Sequence, residues 1–129
     1  MQLTLEADYA VRIVDLLATS GKRTEASAIA QLTGVPQRFA LKILRKLVAA
    51  GIVKSFKGTQ GGYEIGRPLD EISLYDVIRT VEGDYVLTRC QEGGYECGRK
   101  SPCKFRKIFC DISRDVAEKL ESHKFSDFM

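Results

Sequence analysis

A chain of 129 residues, 44% hydrophobic and with a net charge of +3, has room for one packed domain with an appendage, and its composition excludes disordered and collagen-like classes. No apolar run approaches the length of a membrane span, and the N-terminal "MQLTLEADYAVRIVDLL" carries acids where a signal peptide carries bases. A cytoplasmic protein is therefore expected, and in that reducing compartment four cysteines speak more for metal or redox chemistry than for disulfides.

Thr4 is placed to cap a first helix in which Ala7, Ala10, Val11, Val14, Leu17 and Ala18 recur at helical spacing, up to the break at "TSGK". Thr24 is expected to cap a short second helix, "EASAIAQL", closed by "TGVP". There Gly34 supplies a permissive turn and Pro36 suits the first turn of a third helix over 36–50, which ends at Gly51. Two short helices joined by a glycine-bearing turn read as a helix-turn-helix unit. Ile52, Val53 and Phe56, then Tyr63 and Ile65, flank "GTQGG" and predict a β-hairpin. The expected fold is thus mainly α with a small β-hairpin wing, a winged helix-turn-helix over residues 1–83.

Ser73 begins a fourth helix, "LYDVIRTVE", which stops at Gly83. Residues 84–103 then form a cysteine-bearing loop, and Ser101 with Pro102 offers the start of a last helix running to about His123. On that helix Phe105, Ile108 or Phe109, Ile112, Val116 and Leu120 recur at spacings of three and four among charged residues. An apolar stripe remote from the winged-helix core needs a partner. Packing on the first helix of the same chain is one solution; a seam between two subunits, making 104–129 a dimerisation helix with a C-terminal tail, is the preferred one.

The charge is unevenly spread. Between Pro36 and Arg67 stand seven bases, Arg38, Lys42, Arg45, Lys46, Lys54, Lys57 and Arg67, against the single acid Glu64; the remainder of the chain is mildly acidic. A basic block of this kind marks a polyanion site. On the third helix Phe39, Ile43, Leu44 and Leu47 are expected on one side, with Arg38, Lys42 and Arg45 opposite, Lys46 beside them and Gln37 at the edge. A purely basic face with no acid to pair it fits the major groove of DNA, where its side chains meet guanine and adenine acceptors. In the wing, Lys54 and Lys57 are placed to neutralise phosphates, with Thr59 and Gln60 at the polar tip. Gly61 and Gly62 either let the backbone approach the duplex or serve only the turn. Ser27 is a weaker phosphate candidate.

The cysteines stand as Cys90-x6-Cys97-x5-Cys103-x6-Cys110. Structural zinc sites usually contain a tight C-x2–4-C knuckle, which is absent here, and disulfide frameworks suit small secreted chains. Cys90, Cys97 and Cys103 lie among polar residues and glycines, where Arg99, Lys100 and Lys104 favour the thiolate. An iron–sulfur cluster, two-iron or four-iron, is the leading reading, and a zinc site or a thiol switch stays open. Cys110, within the last helix beside Phe109 and Ile112, reads as a half-buried structural cysteine.

The stretches "DYAVRIV", "VPQRFALKILRKLVAAGIVKSFKGTQGGYEIGRP" and "ISLYDVIRTVEG", followed by the cysteine segment, resemble the winged-helix, iron–sulfur-sensing regulators typified by IscR and NsrR. The resemblance spans nearly the whole chain. It implies a homodimer crossed by the long last helices, a palindromic double-stranded DNA operator, and a cluster that tunes DNA affinity. IscR-like members place a histidine ligand three residues after the third cysteine, where this chain has Arg106, a cation that cannot ligate. NsrR-like members take an aspartate from the first helix of the opposite subunit, and Asp8 stands at that place. The resemblance therefore implies Cys90, Cys97, Cys103 and Asp8 as ligands, with Cys110 the second choice for the fourth. Leu41 replaces an acidic base-reading residue of IscR-like members, which implies a different operator.

The function expected is a cytoplasmic transcription regulator, a repressor sensing cluster status, nitric oxide or redox state. A cluster-free regulator switched by thiol oxidation or a protein partner is the alternative. A small iron–sulfur electron-transfer protein is a third reading, and it leaves the basic helix and wing unexplained. No catalytic triad is visible, and the lone His123 lies near a C-terminus expected to fray.

Overall fold

In the computed structural model, residues 2–87 and 104–129 are described. Cys90, Cys97, Cys103, Ser101 and Pro102 lie outside them. Helix α1 (Leu5–Ser20) starts where the Thr4 hydroxyl accepts the Ala7 amide at 3.1 Å. Its buried side, Ala7, Ala10, Ile13, Val14 and Leu17, is the stripe the helical period requires. Around it pack α2 (Ala26–Thr33), α3 (Gln37–Ala49) and α4 (Leu74–Glu82). Ile29, Val35, Ala40, Ile43, Leu44, Leu47, Ile52, Val53, Ile72 and Val77 complete the core around α1.

The turn between α2 and α3 depends on Gly34, which holds φ 75° as the α2 C-cap, a left-handed conformation that glycine adopts without a Cβ penalty. Strands β1 (Val53–Phe56) and β2 (Gly62–Ile65) then pair antiparallel, with Val53 opposite Ile65 and Phe56 opposite Gly62. A mostly helical chain carrying one such hairpin is a winged helix-turn-helix, the fold expected from the sequence.

Thr24 does not cap α2. Glu25 holds the N-cap position, with no side-chain capping bond, and Thr24 instead forms an isolated antiparallel bridge with Tyr63. Its amide donates to the Tyr63 carbonyl and its carbonyl accepts from the Tyr63 amide, both at 2.9 Å. The wing thereby gains a third, one-residue edge strand. Two glycines make this geometry possible. A Cβ on Gly62 would lie 2.8 Å from the Thr24 carbonyl oxygen, and one on Gly61 would lie 2.6 Å from that of Phe56. Both glycines are required by contacts inside the wing.

Ser73 and Asp76 form a reciprocal cap on α4: the Asp76 amide donates to the Ser73 hydroxyl and the Ser73 amide to the Asp76 carboxylate, each at 3.0 Å. This is the capping box, here with aspartate in the role usually taken by glutamate. Helix α5 (Lys104–Glu121) follows, and it leads into a 3-10 turn, Phe125–Phe128. The C-terminal end is not frayed. The Leu74 amide donates to the His123 carbonyl and the Phe125 amide to that of Ile72, both at 2.9 Å. Phe125, 2% exposed, is driven into the core by the apolar area of its ring. The tail after α5 therefore packs on the winged-helix core.

Candidate nucleic-acid interface

The exposed side of α3 is assembled by what its other side must do. Ala40, Ile43, Leu44 and Leu47 are fully buried, so the helix period turns Arg38, Lys42 and Arg45 outward; all three are exposed, as is Gln37 at the first turn. Phe39 departs from its expected core position. Ala40 occupies that place, and Phe39 is 37% exposed, with its ring centroid 6.3 Å from that of Tyr9 on α1. The Arg38 guanidinium lies 5.0 Å from the Phe39 ring centroid, within the range where the ring face attracts a cation. Phe39 thus backs Arg38 at the rim of the core. Leu41 is exposed on the same outward side.

The basic face is not free of acid. Glu6, from the first turn of α1, places Oε1 at 3.0 Å from Lys46 Nζ and at 3.8 Å from Lys42 Nζ. Lys46 is half-buried by this contact, whereas Arg38 and Arg45 point to solvent. Helix periodicity on α3 alone cannot reveal a partner from another helix, and Glu6 carries no local signal that marks it.

In the wing Lys54, Lys57, Thr59 and Gln60 are all exposed. Arg23, which the sequence did not single out, meets this hairpin from the α1–α2 connection: its Nε is 3.6 Å from Glu64 Oε2 and its guanidinium carbon 3.4 Å from the Phe56 ring centroid. Ser27 is exposed on α2.

Of the expected metal ligands, Asp8 lies in the first turn of α1. Its carboxylate pairs with Arg12 of the same helix at 2.8 Å, with 47% of the side chain exposed. Leu5, one turn earlier, is 62% exposed, and Arg12, one turn later, is exposed as well. Arg106 is exposed on α5, and Cys110 is half-buried there as a free thiol. Among the described residues no group of three or more histidine, cysteine or acidic side chains is gathered to hold a metal ion.

A surface cavity of about 450 Å³, lined among others by Thr4, Glu6, Glu82, Tyr85 and Leu87, separates α1 from the segment leaving α4. Its walls are tied together: the Thr4 amide donates to Glu82 Oε1 at 2.8 Å. The Tyr85 amide donates to the Tyr75 hydroxyl at 3.3 Å and the Leu87 amide to the Ser113 hydroxyl at 2.9 Å. The chain leading toward the cysteines is thus fastened to both α4 and α5, and Glu6 faces this region as well as the lysines of α3.

A helix-turn-helix with a hairpin wing and an outward basic α3 defines a DNA-binding transcription regulator. The family model described as "Rrf2: Iron-dependent Transcriptional regulator" matches residues 3–129, and the chain belongs to this Rrf2 family, whose members are regulators and not enzymes. Protein aau3 of Rhizobium meliloti (strain 1021) is 30% identical over 131 residues, covering 100% of this chain and 85% of that one. Among solved structures, CymR (YrzC), the global cysteine regulator of B. subtilis, superposes with a TM-score of 0.79 at 26% identity, covering 99% of this chain and 95% of that one. IscR of T. potens gives 0.78 at 22% identity, covering 99% and 85%, a likeness of fold. No helix among the described residues is long and apolar enough to cross a membrane.

Proposed function

We propose that this chain is a homodimeric repressor that reads a palindromic operator through α3 and the wing, and whose affinity for it is set by an iron–sulfur cluster. The observation that carries the DNA half is the division of α3 into a fully buried apolar side and an exposed side bearing Arg38, Lys42 and Arg45. Arg38 and Arg45 read base edges; Gln37, Lys42 and Lys46 support them, and Lys57, Thr59 and Gln60 hold the phosphate backbone. Leu41 offers an apolar contact suited to a thymine methyl.

The cluster half is supported by the family's description as iron-dependent and by the donors available. Cys90, Cys97 and Cys103 supply thiolates, and Asp8 of the opposite subunit supplies the fourth ligand. The Asp8 carboxylate fits this role because its exposed bond to Arg12 is weak and exchangeable; half-buried Cys110 is the second choice. The bound group supplies a link sensitive to redox state and nitric oxide. The protein's own part is transmission. The segment entering the cysteine region is fixed to Tyr75 and Ser113, so rearrangement there moves α5 relative to α4 and alters the spacing of two reading heads. The dimer is supported by the exposed Ile108 and Ile112 on α5, an apolar face that a second helix would cover.

Anaerobic purification with iron and sulfide analysis, on wild type, Asp8→Ala and Cys110→Ala, tests the ligand set; loss of the cluster in Cys110→Ala alone would displace Asp8. A second reading, a cluster-free regulator switched by thiol oxidation or a protein partner, is favoured by the likeness to CymR, described as a cysteine regulator. It requires a defined cysteine bridge, visible by mass spectrometry, or a partner that changes operator affinity in iron-free protein.

A further inference from the structure

Arg23 stands one residue before Thr24, whose backbone is fastened to Tyr63 by two hydrogen bonds of 2.9 Å. From this anchored place its guanidinium reaches three parts of the wing at once. It stacks over the Phe56 ring with the central carbon 3.4 Å from the centroid. Its Nε faces Glu64 Oε2 at 3.6 Å, and its Nη1 donates to the Gln60 carbonyl at 3.5 Å. Phe56 closes β1, Glu64 lies within β2, and Gln60 belongs to the tip between them. One planar cation therefore bridges both strands and their connecting turn, a task its rigid fork and flat face suit and a lysine's point charge does not.

Each contact alone is small, since 43% of the Arg23 side chain and 34% of the Glu64 side chain remain exposed and solvent screens the pair. Their common effect is geometric. A two-stranded hairpin is marginal by itself in water, and its tip carries two glycines, Gly58 and Gly61, with Gly62 opening β2, each of which adds backbone freedom. We propose that Arg23 is a positioning residue for DNA binding: it clamps the wing so that Lys57, Thr59 and Gln60 meet the duplex already ordered, which removes an ordering cost from association. The proposal rests on the reading of the wing as a DNA contact. Glu64, by occupying the charge of Arg23, separates this role from that of a phosphate ligand.

The test combines hydrogen exchange on the free protein with DNA binding to a duplex that wild type selects from a random-sequence pool. Arg23→Ala should speed amide exchange at residues 57–61 while leaving α1 and α3 protected. It should lower affinity about fivefold, with an unchanged slope of affinity against salt. Arg23→Lys should not restore either property. Phe56→Leu should loosen the same amides, and in its background Arg23→Ala should cost less, the non-additivity of residues in contact. Unchanged exchange at 57–61 in Arg23→Ala would overturn the clamp. A salt slope reduced by about one would overturn it too, by making Arg23 itself a phosphate ligand. Failure of the underlying reading shows separately: Lys57→Ala and Thr59→Ala would then bind the duplex like wild type, and this would overturn the wing's part in binding even with faster exchange in Arg23→Ala.

Discussion

Glu6 and Lys46, forty positions apart, meet at 3.0 Å, and the same carboxylate oxygen lies 3.8 Å from Lys42. An acid of α1 thus shares the flank of the helix proposed to contact DNA, where it would compete with phosphate for two cations. Glu6→Gln should raise affinity for non-specific duplex about threefold and steepen its salt dependence, because the lysines no longer exchange one anion for another. Folding stability should change by less than about 1 kcal/mol, the scale of exposed ion pairs. Fluorescence anisotropy across a salt series checks the first expectation, and urea unfolding checks the second.

Arg38 and Lys57 should separate base reading from backbone holding. Arg38→Ala is expected to cost about 1–3 kcal/mol on the operator and to relax preference at one position of each half-site. Lys57→Ala should weaken all duplexes alike and reduce the salt slope by about one. Selection from a random-sequence pool with each variant distinguishes the two patterns.

The tail offers a test of the fold. Phe125 is fully enclosed between elements far from it in sequence, so Phe125→Ala should destabilise the protein by about 3–5 kcal/mol, the usual penalty for emptying an aromatic core position. Ser73→Ala, which removes one half of the α4 cap, should cost about 1 kcal/mol. Urea midpoints at constant slope measure both.

How much of this was legible in the sequence depended on how local the cause was. The Thr4 and Ser73 caps, the Gly34 turn and the hairpin follow from neighbouring residues and were read directly. Thr24 was misread because the residue that claims its backbone, Tyr63, lies on the far side of two helices. Phe39 and Ala40 are adjacent, and the helix period alone could not say which would be enclosed; Ala40 is fully buried and Phe39 stays at the rim against Tyr9. Phe125 belongs to the core through a bridge between Ser73 and Lys124 that no periodicity announces. Glu6 and Arg23 escaped for the same reason, since each acts on a distant element through charge. Spacing and resemblance single out Cys90, Cys97 and Cys103 as candidate ligands, and these residues lie outside the described ones.

The apolar face of α5 should fix the oligomeric state. Ile108 and Ile112 are 53% and 37% exposed, and placing a charge there is incompatible with a buried helix seam. Ile108→Asp with Ile112→Asp is expected to give a monomer by sedimentation. That monomer should keep its affinity for a single half-site and lose the gain from a second.

In the proposed mechanism cluster occupancy sets operator affinity. Protein purified without oxygen should be brown, contain iron and sulfide, and change its affinity for the selected operator at least tenfold, about 1.4 kcal/mol, when the cluster is removed. Asp8→Ala should weaken cluster retention without impairing DNA binding by the cluster-free form. Colourless protein, free of iron and sulfide and with the same operator affinity before and after iron–sulfur reconstitution, would contradict the claim.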